Sequence, residues 1–260
     1  MKSLAFACAF SLFAFGSAFA QGTPSSKATA AINTAVACTL STATTIGDTV
    51  PQTCHDVFSG AAVPVTADNF ATVMNATIKV SNSQSLFVSP SLVTGLYTQT
   101  KTKTSPGGGT STAIAEGGVY LRAIAVNQAT GAAIIGYPVA ACTADVLGCR
   151  ANAAGTFGVT LDSRVQSLTQ DISSCIVNVA GTSGTCTFDL TTDLILKTTS
   201  AHTFNFIFPN VGVGVYNIAI QAAVNSNATV SGSGTAVGSA AYGLGSVTVE
   251  SVRLVKDFSF

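Results

Sequence analysis

Residues 216–224 constrain this chain more than any other stretch. Tyr216, Ile218, Ile220, Ala222 and Val224 fall on one face of an extended backbone, and Asn217, Ala219, Gln221 and Ala223 fall on the other. A period of two marks a strand with one buried side, because successive side chains leave a pleated backbone in opposite directions. A helix would scatter the same residues around its circumference. Phe204, Phe206 and Phe208 repeat with the same period and set three rings to one side. Pro209-Asn210, followed by Gly212 and Gly214, supplies the turn between the two runs.

Other segments read the same way. Residues 76–80, 85–88 and 91–102 are apolar or β-branched runs, and 113–127 carries GGVYLRAIAVN, a central strand preceded by a glycine pair. Pro106-Gly107-Gly108-Gly109 is a loop signal. In residues 245–257 the large apolar positions shift phase from Val247 and Val249 to Val252 and Leu254, which predicts a β-bulge near Glu250-Ser251. Only 163–172 and 68–74 have helix-like spacing, about two turns each. Strands separated by Gly, Asn and Ser turns, without alternating helices, predict an all-β fold. The expected architecture is an antiparallel β-sandwich of jelly-roll or other Greek-key type. A repeated blade motif, which a propeller needs, is not present.

The N-terminus sets the compartment. Lys2 precedes an apolar run over 4–15 broken by Ser11, and Ala18-Phe19-Ala20 is a signal-peptidase pattern. The run is short for a bilayer crossing and has no successor, so no membrane insertion is expected once the signal is removed. The predicted organisation is a signal peptide (1–20), an Ala/Ser/Thr-rich flexible arm (21–50) and one β-sandwich domain (51–260). The product would be extracellular, or periplasmic in a Gram-negative cell. Six cysteines remain after cleavage and admit fifteen pairings. Their positions form three local couples, predicting Cys38–Cys54, Cys142–Cys149 and Cys175–Cys186 disulfides, each contributing roughly 2–3 kcal/mol. Zinc is the competing use of such residues. The nearest couple is C-x₆-C, and His55 and His202 are far apart in sequence, so the spacing does not suit zinc.

Composition excludes further classes. Charged residues make up 8% of the chain against about 25% in ordinary soluble domains, so Ser, Thr, Asn, Gln and Gly must cover the surface. Without Lys2 the balance is 10 basic against 11 acidic residues, a net charge of −1. No cationic face is available for nucleic acid or for anionic lipid. Two histidines restrict catalysis, and no G-x-S-x-G elbow exists. Ser200 and His202 would project from the same side of a strand without an oxyanion hole. A carboxylate-pair hydrolase would draw on Glu116, Asp162, Asp171, Asp189, Asp193 and Glu250. Asp189 and Asp193 flank Leu190-Thr191-Thr192 and are the candidate calcium ligands; no cofactor is expected. Tryptophan is absent, which leaves Tyr97, Tyr120 and Tyr137 as candidate sugar-stacking platforms. Asn75 and Asn227 begin N-x-[ST] sequons and are glycosylation candidates if the producing cell glycosylates.

Residues 91–103 (SLVTGLYTQTKTK), 204–224 (FNFIFPNVGVGVYNIAIQAAV) and 245–256 (GSVTVESVRLVK) resemble a group of exported β-rich proteins with no known activity. The likeness covers the C-terminal two-thirds and carries over no functional residue. The closing strand also resembles the last strand of jelly-roll carbohydrate-binding modules. The expected function is therefore a secreted, non-catalytic structural or adhesive role at a cell surface or in extracellular matrix. The alternative is a carbohydrate-binding module, with calcium as a helper. Expected partners are glycans, cell-surface material, or further copies joined through sheet edges left with few charges to block them.

Overall fold

The structure, a computed structural model, describes residues 27–54, 65–66, 68–103, 109–152, 154–172, 175–179, 182–186 and 190–253; for 175–179 and 182–186 the backbone is described. The export signal, residues 21–26, His55 and Asp189 lie outside the described residues. In chain order the strands are β1 (Ala28–Asn33), β2 (Ala37–Thr44), β3 (Ala71–Val80), β4 (Gln84–Lys103), β5 (Gly109–Asn127), β6 (Ala133–Ile135) and β7 (Cys149–Ala151). Then come β8 (Phe157–Ile172), β9 (Cys175–Val179), β10 (Thr182–Cys186), β11 (Thr191–Thr203), β12 (Phe206–Val211), β13 (Gly214–Ser231) and β14 (Gly234–Val252). Two antiparallel sheets pack face to face as a sandwich. The first runs β1-β14-β4-β11, with β2 also on β14 and β12 also on β4; the second runs β3-β13-β5-β8-β7, with β6 on β5. β9 and β10 pair with each other as a separate hairpin.

The strands are long. β4 has 20 residues and spans about 65 Å at the usual rise of a strand. The predicted runs 85–88 and 91–102 are one strand, continuous through Pro90. Proline lacks the N–H a ladder requires. Phe204 N donates to Pro90 O at 3.1 Å, so Pro90 turns its backbone toward the side where β11 ends and β12 begins. The missing donor therefore falls at a break between two neighbouring strands.

The inward row of β4 changes chemistry along its length. Leu86, Val88, Leu92 and Leu96 are buried in an apolar core, and Thr98, Thr100 and Thr102 are equally buried beyond it. The apolar half is filled by Phe206 and Phe208 of β12, by Tyr216, Ile218 and Ile220 of β13, and by Val119 and Leu121 of β5. Full burial of each Leu, Ile or Phe is worth roughly 1.5–3 kcal/mol. The period-two reading of residues 216–224 holds for the inner face, while Ala219 and Ala223 of the other face are buried as well. Phe206 and Phe208 lie fully inside with Phe204 packed partly against them. In the other half the large side chains give way to Ala113, Ala115, Ala236 and Ala240, and the sheets approach closely.

Three expectations are corrected. The segment 21–50, read as a flexible arm, contains β1 and β2, which line one edge of β14: Ala28 pairs with Glu250 and Ala37 with Tyr242. Its small residues suit an edge strand lying beside a partner that already carries the core. The helix-like spacing at 163–172 lies within β8, and of 68–74 the residues from Ala71 onward open β3. Long-range pairing with β5 and β13 overrides the local pattern there. The bulge lies between Tyr242 and Gly245, not at Glu250-Ser251: Tyr242 pairs with Thr94 and Gly245 with Leu92, leaving two β14 residues opposite Val93. It switches the inward row from Ala236, Ala240 and Tyr242 to Val247 and Val249. Asn33 Nδ2 donates to Gly243 O there at 2.9 Å.

The cysteine pairing follows the local couples where side chains are described. Cys38–Cys54 and Cys142–Cys149 are disulfides with Cα separations of 6.4 and 5.6 Å. Backbone register sets Cys175 directly opposite Cys186. Among the described residues no helix is long and apolar enough to cross a membrane.

Candidate functional site

Along the side where β8 faces β4 and β11, polar side chains from the two sheets gather. Asp162, Arg164 and Gln166 of β8 face Thr94, Thr98 and Thr100 of β4 and Thr198, Ser200 and His202 of β11. Thr98 Oγ1 donates to Gln166 Oε1 at 2.6 Å, while Gln166 Nε2 donates to Thr100 Oγ1 and to Leu194 O, both at 2.7 Å. Arg164 Nη2 donates to Thr198 Oγ1. Buried amides and hydroxyls need such partners, since an unmade hydrogen bond there costs about 1–3 kcal/mol. One polar rail thus joins the two sheets along the β8/β11 side.

At one end of the rail a serine, a histidine and an aspartate meet. Ser200 Oγ lies 2.7 Å from His202 Nε2, and Asp162 Oδ2 lies 3.4 Å from the same nitrogen. Thr94 Oγ1 donates to Asp162 Oδ2 at 2.6 Å. A relay requires the base to take the nucleophile's proton on one ring nitrogen while the acid holds the other. Here both partners compete for Nε2, so the arrangement links strands and does not activate Ser200 through Asp162. The sequence placed Ser200 and His202 on one side of a strand, and they are; Asp162 was among its candidate carboxylates, but nothing local tied it to His202, which it meets from the other sheet.

The tyrosines singled out from sequence do not converge. Tyr120 is buried; Arg150 Nη1 donates to its hydroxyl at 3.0 Å and the guanidinium carbon sits 5.2 Å from the ring centroid. Burial pushes its hydroxyl pKa up, against the opposing pull of Arg150. Tyr97 packs on Cys38, Cys54 and Ala241, a small second core outside the first sheet, and donates to Gln99 Oε1 at 3.1 Å. Asp193 accepts from Gln99 Nε2 at 3.0 and 3.1 Å, and its proposed calcium partner Asp189 lies outside the described residues. Among the described residues no three of His, Cys, Asp and Glu gather as a metal site. Asn75 and Asn227 are both exposed, on β3 and β13.

Tyr137 alone joins a surface feature. Register places Glu250 of β14 beside Phe87 of β4, and Phe87 beside Ile207 of β12. Ile207 in turn bridges Tyr137: Tyr137 N donates to Ile207 O at 2.9 Å, and Ile207 N to Tyr137 O at 3.0 Å. Residues opposite one another on adjacent strands share a face, so Glu250, Phe87, Ile207 and Tyr137 form one transverse stripe on the outside of the sandwich. Two adjoining hollows of about 320 Å³ each lie along it. The first is lined by Phe87, Ser89, Asn205, Ile207 and Glu250, and the second by Tyr137, Pro138, Ala141, Asn205 and Ile207. Ser89 Oγ donates to Asn205 Oδ1 at 2.8 Å, placing a polar pair beside the apolar floor.

The sequence carried a signal for this stripe. The period that buries Phe206 and Phe208 turns Ile207 outward, and the one that buries Leu86 and Val88 turns Phe87 outward. Large apolar residues on the nominally wet side of two strands were the clue. That the strands lie side by side was not readable from either run. Comparison with protein-family models and with curated proteins finds no match for this chain.

Proposed function

We propose that the mature chain is an exported, non-catalytic β-sandwich that acts by contact, in a structural or adhesive role at a cell surface or in extracellular matrix. The stripe Glu250–Phe87–Ile207–Tyr137 carries this reading. It is an apolar surface held in place by main-chain pairing across several elements, and such outward patches mark surfaces made to be covered. The shared use of one imidazole nitrogen by Ser200 and Asp162 supports the non-catalytic part, and the two disulfides suit an oxidising compartment. The test is retention of the oxidised mature protein on insoluble wall and matrix preparations, beside turnover assays on glycans, peptides and esters. Phe87→Ser and Tyr137→Ser should each lower retention severalfold, with no turnover by the parent protein. Steady hydrolysis of any substrate class, or retention indifferent to both substitutions, would overturn the reading.

Carbohydrate binding is the second reading, favoured by the stripe's composition. Phe87 and Tyr137 offer ring faces, and Asn205, Ser89 and Glu250 offer the few hydrogen-bonding groups that fix a sugar's orientation. Pull-down on separate insoluble polysaccharides, with calcium and with chelator, distinguishes the two. Retention on one glycan that its soluble oligosaccharide competes away favours sugar recognition; retention on wall material but on no purified glycan favours adhesion.

A further inference from the structure

β11 closes one side of the first sheet, and among the described residues it has β4 on one side and no strand on the other. Its first seven residues are exposed. Leu194, Ile195 and Leu196 retain 42, 53 and 43% of their accessible surface. A long open edge carrying three adjacent aliphatic residues is a template for another strand, and natural proteins usually blunt such edges.

The sequence of this edge is symmetric about Ile195 except that an acid on one side answers a base on the other. Thr192-Asp193-Leu194-Ile195-Leu196-Lys197-Thr198 runs Thr, acid, Leu, Ile, Leu, base, Thr. Lay a second copy antiparallel with the two Ile195 residues opposite. Asp193 then faces Lys197, Leu194 faces Leu196, and Thr192 faces Thr198, each twice. Faces agree as well. Leu194 and Leu196 sit opposite Thr100 and Thr98 of β4 and share their inward side, while Asp193, Ile195 and Lys197 share the outer side. A two-fold axis normal to the sheet preserves that assignment. It also allows the central pair to be either type of antiparallel pair, so the match does not depend on which edge N–H groups point outward. Sliding the register four residues so that Asp193 meets Asp193, or Lys197 meets Lys197, sets like charges opposite and breaks the aliphatic match.

We propose that the mature protein forms a two-fold symmetric homodimer through antiparallel pairing of β11 with β11 of a second copy, in the register centred on Ile195. The first sheet then continues across both copies, and the open side between β11 and β8 is covered. Gln166 supports the edge from within by donating to Leu194 O. The interface runs beside the Leu96–Thr102 part of β4, whereas the stripe crosses that strand at Phe87, so it stands or falls independently of what the stripe binds.

Charge exchange tests the register. Asp193 and Lys197 are both exposed, so reversing either should leave the far-ultraviolet circular dichroism of the parent. Asp193→Lys also loses its bonds from Gln99 and meets Lys101 across the ladder, so its melting temperature should fall modestly and recovery of the mixed dimer is the decisive readout. In sedimentation velocity the parent should be a dimer. Asp193→Lys sets lysine against lysine and Lys197→Asp sets aspartate against aspartate, and each should weaken self-association about tenfold or more. An equimolar mixture of the two variants should recover a dimer containing one copy of each, and the double variant should recover a homodimer. A monomeric parent overturns the proposal. So does a dimer indifferent to the single reversals, or one that the mixture fails to restore.

Discussion

Gly117 of β5 and Gly238 of β14 lie where the backbones of the two sheets approach closely. A Cβ on Gly117 would lie 2.6 Å from Ser239 O, and one on Gly238 would lie 2.5 Å from Asn227 O and closer still to Glu116 O. The obstacles are backbone atoms of the facing sheet, which cannot rotate away as a side chain would. Gly238→Ala and Gly117→Ala should each destabilise the fold by about 1–3 kcal/mol or more, read as a lower urea midpoint at unchanged slope. Stabilities equal to the parent would mean that the sheets are not this close.

Gln166 is the busiest member of the polar rail. Replacing it with leucine keeps the volume but strands the hydroxyls of Thr98 and Thr100 and the carbonyl of Leu194. The expected cost is about 2–3 kcal/mol. Amide exchange should accelerate in β11 more than in β13, because the lost bonds anchor that edge. Uniform acceleration would contradict the assignment.

The Cys38–Cys54 bridge closes a 16-residue separation and holds its loop over Ala241 and Tyr97. Paired substitution to alanine should lower stability by about 3 kcal/mol. Peptide mapping without reduction should recover Cys142 linked to Cys149, and also Cys175 linked to Cys186, the pair that backbone register sets opposite. Alkylation of Cys175 in native protein would refute the third link.

Stability should fall at alkaline pH. Burial raises the hydroxyl pKa of Tyr120, and burial alone raises that of Tyr242. Unfolded tyrosine ionises near pH 10, so above that the unfolded chain releases protons the folded chain still holds. The tyrosine contribution is complete below about pH 10 and is lost as pH climbs through the folded values. At the acid end the sign reverses. Hydrogen bonds from Lys101 and Thr235 hold the Asp48 carboxyl below its ordinary range, so its contribution is present above about pH 4 and disappears as pH drops through the folded value. Melting temperature against pH, compared with Tyr242→Phe and Asp48→Asn, checks both limbs. Each variant should flatten its own limb.

The sequence disclosed those parts of the fold that arise from neighbours along the chain. The alternation of Tyr216, Ile218 and Ile220 fixed a strand and its inner face, and the short spacings of Cys38–Cys54 and Cys142–Cys149 fixed two bridges. Contacts made at long range were hidden. Asp162 meets His202 because β8 and β11 share one side of the sandwich, and no local pattern announces that. Val165, Leu168 and Ile172 have helical spacing, yet β5 supplies a ladder that outweighs it. The bulge showed the same limit: a phase change was visible near the C-terminus, but its position depended on pairing with Thr94 and Leu92. The candidate stripe was half legible, as outward Phe87 and Ile207, without the register that joins them.

β4 starts among leucines and ends among threonines, and β5, β8, β13 and β14 are comparably long. Any fragment that kept the oily end would still own strand segments meant for the hydroxyl end, with nothing to lie against. The molecule is therefore indivisible lengthwise. It should melt in one step, and proteolysis within β4 should dismantle both ends together.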